Sequence, residues 1–119
     1  MDAKITISGR EIPVRKTGGT VLRYKRQFGR EFLQDLQKIL VLRSKLTPET
    51  TAEQKAEIVL STETEWMYDI LFIMAQQADP TITDELDWLD SFDDFNVWAV
   101  FDQIMPLLIS ESKVSPKNV

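Results

Sequence analysis

The stretch VLRYKRQFGREFLQDLQKILVLRSKL, Val21 to Leu46, decides how the rest of the chain is read. Wound at about 100° per residue, it sets Val21, Phe28, Phe32, Leu36, Ile39 and Leu46 on one side. Leu22, Leu33 and Leu40 flank them along one edge, and Tyr24 and Leu42 along the other. The opposite side carries Arg23, Arg26, Arg30, Gln34, Gln37 and Ser44. This two-faced period predicts one long amphipathic helix with its apolar stripe on a core. Gly29 falls inside it, where glycine costs ~1 kcal/mol relative to alanine. Because the apolar phase continues from Phe28 to Phe32 to Leu36, the helix is expected to run through Gly29. That glycine would sit on the buried flank and let another element approach. Lys25 and Arg43 lie near the ends of the apolar arc and should rest their stems on the core with the charge outside.

Before this helix, Lys4-Ile5-Thr6-Ile7-Ser8 and Glu11-Ile12-Pro13-Val14-Arg15 alternate polar and apolar residues around Ser8-Gly9-Arg10. They predict a β-hairpin over 4–16 whose apolar face (Ile5, Ile7, Ile12, Val14) must lie on helices, since a lone hairpin is marginal in water. Pro13 cannot donate to a ladder and marks the second strand as short or an edge. Thr17-Gly18-Gly19-Thr20 is the following loop, with Thr20 as N-cap.

After the long helix, Thr47-Pro48 and Thr51 with Gln54 are start signals for a second one reaching about Ala78. Ser61-Thr62-Glu63-Thr64 marks a kink or a fresh cap within it. The run Trp66–Ala75 is apolar nearly all round and predicts the central core helix. Asp79-Pro80 ends it. A short acidic helix within 81–92, capped by Thr83 with Leu86 and Leu89 inward, comes next. A last helix from about Asp94 to Ser110 buries Val97, Val100, Phe101, Ile104, Met105 and Leu108. Pro106 lies inside it and frees the Asp102 carbonyl on the polar side. The tail Glu111–Val119 is expected to fray. The fold class is thus α+β, mainly α: an N-terminal hairpin and a bundle of about four helices, in one domain spanning 1–119.

Composition narrows the chemistry. With no histidine and no cysteine in 119 residues, the commonest general base, the thiol nucleophiles and the usual transition-metal ligands are missing. No disulfide framework is possible, and a reducing, cytosolic setting is expected. Met1-Asp2-Ala3-Lys4 lacks the start of a signal peptide, and no run approaches the ~20 apolar residues that span a bilayer. No Ser-x-x-Lys or Gly-x-Ser-x-Gly context occurs, and Gly18-Gly19 lacks the spacing of a phosphate-binding loop. No enzyme, cofactor or resident metal is therefore expected. Charge is unevenly spread: residues 1–47 hold 11 basic and 4 acidic side chains, residues 48–119 hold 3 and 15. Ordinary solvated faces account for this, as would complementary surfaces within one molecule or between copies.

Three features are candidates for contact with a partner. Asp84, Glu85, Asp87, Asp90, Asp93 and Asp94 crowd one stretch without the spacing of a calcium loop, and read as a solvated or partner-facing acidic patch. Arg23, Arg26 and Arg30 form a basic stripe. It supports the alternative reading of a small nucleic-acid-binding regulatory module, although Tyr24 and Phe28 turn to the core and leave the arginines alone. Trp66, Trp88 and Trp98 sit at helical core positions, with Trp88 the one expected to be partly exposed.

The order and wording of the segments resemble a family. The hairpin leads through Thr-Gly-Gly-Thr into Arg23-Tyr-Lys-Arg-Gln-Phe-Gly-Arg30. Then come Trp66–Ala75, the Ala78-Asp-Pro block with Trp88-Leu89, and a closing apolar helix. Over most of residues 4–113 this is similar to the small tail assembly chaperones of long-tailed phages and prophages of Gram-positive bacteria. The match is poorest over Thr47–Glu65. The resemblance implies a non-enzymatic protein that binds the tape-measure protein and keeps it soluble in the host bacterial cytoplasm. It would help tail tube protein polymerise around that partner, and be absent from the finished virion. It also implies a longer frameshifted product in many relatives and self-association in some. It transfers no residue-level site, so Arg23, Arg26, Arg30 and Trp88 stand as partner-binding candidates on the residues alone.

Overall fold

The structure, a computed structural model, describes residues 1–112. Strand β1 (Asp2–Ile7) and strand β2 (Arg10–Arg15) form an antiparallel hairpin with Ile5 opposite Ile12 and Lys4 opposite Pro13. Ser8 and Gly9 both take positive φ (53° and 79°), as a two-residue turn that matches the strand twist requires. Ile5, Ile7, Ile12 and Val14 are buried, so the alternation reads correctly. The hairpin is slightly longer than expected, starting at Asp2. Its free edge is met by α6 (Val97–Ser112). There the Gln103 side chain accepts from the Thr6 amide and donates to the Thr6 carbonyl, both at 2.8 Å. The two edge groups of Thr6 are thus answered by one side-chain amide.

The remaining helices are α1 (Thr20–Phe28), α2 (Phe32–Lys45), α3 (Ala52–Ser61), α4 (Glu65–Ala78) and α5 (Glu85–Asp90). Among the described residues there are six helices where about four were expected, because both long helices are interrupted. The first breaks at Gly29, whose φ of 73° ends α1 with its amide on the Lys25 carbonyl at 2.8 Å. A left-handed residue at a helix end is the common role of glycine, and it outweighed the unbroken apolar phase here. Gly29 is exposed and nothing would meet a Cβ there, so it does not serve a close approach. The second breaks at Thr62-Glu63-Thr64, inside the polar cluster that signalled a kink or new cap.

Helix α4 is the centre, with nine buried residues between Trp66 and Ala75. The hairpin, α1, α5 and α6 all pack on it. All six residues expected on the inner face of α6 are buried, and Pro106 and Asp102 are exposed. The expected tail falls outside the described residues apart from the backbone of Glu111 and Ser112, which continue α6.

Two caps differ from expectation. Thr20 is the first residue of α1 and makes no cap bond, since its hydroxyl is used for tertiary anchoring. It accepts from the Thr17 amide at 2.8 Å and donates to Gln77 of α4 at 2.5 Å. Helix α5 is capped by Asp84, not Thr83, with the carboxylate accepting from the Asp87 amide at 2.9 Å. Because this helix begins later than expected, its inward face is Glu85, Trp88, Leu89 and Phe92. Leu86 is 70% exposed in consequence.

Candidate functional site

Gly29 also decides where Arg30 goes. The left-handed turn lifts Arg30 off the polar stripe of α1 and swings it inward. Its Nε lies 3.0 Å from Asp35 Oδ2, and its Nη2 donates to Asp69 and, at 2.9 Å, to the Tyr24 hydroxyl. Tyr24 donates in turn to Asp35 at 2.6 Å, and Lys38 pairs with the other Asp35 oxygen at 2.8 Å. The guanidinium rests against the Tyr24 and Phe28 rings. Both carboxylate side chains are only 4% exposed, against 35% for Arg30. This clasp joins α1, α2 and α4.

Burial lowers the affinity of Arg30 for its proton, and the bonds from Asp69, Tyr24 and Asp35 more than reverse that. Burial raises the Asp35 carboxyl, but bonds from Lys38, Tyr24 and Arg30 hold it below the usual carboxylate range. The Tyr24 hydroxyl is pushed up by burial and by its bond to Asp35. Glu85, drawn inward by the phase of α5, reaches the same cluster. Burial, its hydrogen bond to Asp69 and the charges of Asp69 and Glu65 push it up to about 8. Its protonated form is thereby favoured.

The arginine stripe is accordingly divided. Arg23 and Arg26 stay on the surface and line an open groove of about 550 Å³ with Leu22, Gln27, Ile73 and Gln76. Neither makes an ion pair among the described residues. Arg30 is committed to the clasp, so the three residues do not form one nucleic-acid face. Trp88, expected to be partly exposed, is buried at 7% among Phe72, Phe92 and Phe95. The acidic residues from Asp84 to Asp94 do not converge. No three carboxylates among the described residues are grouped to hold a metal ion.

What sequence reasoning missed was the clasp itself. Two signals pointed to it. Asp69 is a charge inside an otherwise apolar run, and Asp35 lies three residues after Phe32 and four before Ile39, on the core side of α2. A charge at a core position demands a partner.

A different surface is left uncovered. Leu33, Leu40 and Val41 on α2 and Leu60 on α3 are each more than half exposed. Helix α3 has no buried residue at all. Between α2 and α3 lies a groove of about 460 Å³. No helix among the described residues is long and apolar enough to cross a membrane. No protein-family model, no curated protein and no solved structure matches the chain.

Proposed function

We propose that this chain is a non-enzymatic tail assembly chaperone. In this reading it binds the tape-measure protein of a long phage tail and keeps it soluble while tail tube subunits assemble. Support comes from the order of sequence segments set out above. The observation that carries the reading is the uncovered apolar surface of α2 and α3, with Leu33, Leu40, Val41 and Leu60 left to solvent. Single exposed leucines are ordinary, but several on two consecutive helices suit a protein that works by covering another chain's apolar surface. The chain's polar clasp is consumed in joining its own helices, which leaves contact, not turnover, as the work its surface can do. The protein acts in the host bacterial cytoplasm and leaves before the virion is complete.

Co-expression with the tape-measure protein of the phage or prophage that encodes this chain tests this. The expected result is a higher soluble yield of that partner and its co-purification with this chain. No gain in solubility together with no co-purification overturns the reading.

A further inference from the structure

Helices α2 and α3 are joined by a turn in which Thr50 closes on Thr47 and Lys45, yet they do not pack closely on each other. The groove between them is lined by Gln34, Lys38, Val41 and Lys45 on one wall, and by Ile58 and Glu63 on the other. From Gln34 to Lys45 a helix advances about 16 Å, or roughly three turns. The floor and walls are apolar at Val41, Leu42 and Ile58, and Val41 is 54% exposed.

The backbone of the α2 wall and of Ile58 is paired within its own helix; beyond α3, the Thr62 amide donates to the Val59 carbonyl and the Glu63 carbonyl accepts from the Trp66 indole. An extended peptide laid in the groove would find no partners for its amides and carbonyls, whereas a helix brings its own bonds satisfied. The rims carry opposite charge. Lys38 is answered by Asp35, but Lys45 and Glu63 have no ion-pair partner among the described residues. We infer that the α2–α3 groove is the docking site for an amphipathic helix of a partner protein. Its apolar stripe is flanked by acidic residues on the α2 side and basic residues on the α3 side. This rests on the chaperone reading and gives it a docking surface that includes Val41 but not Leu33, Leu40 or Leu60. A helix so flanked completes a three-helix contact, and its charges complement Lys45 and Glu63.

The probe is a fluorescein-labelled synthetic peptide, helical over several heptads, with a leucine stripe, one glutamate flank and one lysine flank. Its binding to the full chain is read by fluorescence anisotropy. Val41→Asp and Ile58→Asp should each weaken binding at least tenfold, and Leu86→Asp, on α5, should leave it unchanged. Lys45→Glu, at an exposed site that does not threaten the fold, should weaken the probe severalfold. A peptide with lysine in place of the glutamate flank should restore it. Unaltered binding by Val41→Asp and Ile58→Asp, or no binding by the wild type, overturns the assignment. So does a wild-type dimer that Val41→Asp converts to a monomer, because the groove would then hold a second copy. Co-expression separates the two readings. If Val41→Asp still solubilises the tape-measure protein as the wild type does, the groove is wrong and the chaperone reading stands. If the wild type binds the probe and fails to solubilise that protein, the groove stands and the chaperone reading falls.

Discussion

Helices α3 and α4 follow one another in the chain and are held by opposite means. Helix α3 has the better start: Thr51 accepts from the Gln54 amide at 3.1 Å while Gln54 accepts from the Thr51 amide at 2.9 Å. Helix α4 has no side-chain cap bond, although Thr64 stands at its N-cap. Yet α4 buries nine residues and α3 none. Local signals matter most where tertiary contacts are absent, because a helix of this length is marginal without one or the other. The molecule thus combines an enclosed half, where packing decides everything, with an arm that must hold itself.

The largest expected effect tests that division directly. Phe72 is almost fully buried at the centre of α4, and Phe72→Ala should lower global stability by about 3–5 kcal/mol. Ile58→Ala, at a half-buried side chain on the mostly exposed α3, should cost less than about 1 kcal/mol. Urea unfolding of the two variants checks both. Comparable losses would mean that α3 belongs to the same cooperative core, and the contrast would be broken.

The clasp comes next. Arg30→Ala leaves Asp35 and Asp69 buried without their main partner, and should cost about 3 kcal/mol. Arg26→Ala removes a solvated charge from the same segment and should fall within about 0.5 kcal/mol of wild type. Denaturant midpoints of the pair show whether two arginines four residues apart do different work.

A smaller effect depends on pH. Glu85 is held at about 8 in the folded chain against an ordinary 4.5, so between those values the native state keeps a proton that the unfolded chain releases. Stability from this group is therefore greatest at the acidic end of that window, falls as pH rises through it, and levels off above about 8. Glu85→Gln should flatten that slope and be the more stable protein near pH 8, with the gap closing toward pH 4.5. Thermal melts across the window check this, with Glu57→Gln on exposed α3 as the control.

The same contrast explains what could be read from the sequence. The hairpin, α4 and the inner face of α6 were legible because their side chains answer to a single rule, alternation or helical period facing one core. Gly29 was misread because two rules competed there. The apolar phase argued for continuity, while the backbone freedom of glycine argued for a stop, and the phase survives a break when the chain resumes on the same side. Trp88 and Leu86 exchanged places because the cap fell at Asp84, and a shift of one position in a six-residue helix turns its whole face. The clasp needed three separate helices to meet, which no local pattern encodes. The groove between α2 and α3 was not legible, because its α2 wall belongs to the two-faced period of Val21–Leu46, in which Val41 carried no separate signal.

The smallest expected effect is the most informative about the arm. Thr51→Ala removes a cap bond and should cost α3 about 1 kcal/mol. In a helix with no fully buried residue, little packing absorbs that loss, so it should appear as roughly fivefold faster hydrogen exchange of the α3 amides. Amides of α4 should exchange at their wild-type rate, because the loss is confined to an element that opens without disturbing the core. If α4 amides accelerate in step, the two helices open as one unit. The groove wall would then be fixed by the core, and its apolar residues would be exposed by rigid geometry. If only α3 responds, that wall is held chiefly by its own cap. A docked helix would then stabilise it, and slowed exchange in α3 would report occupancy of the groove.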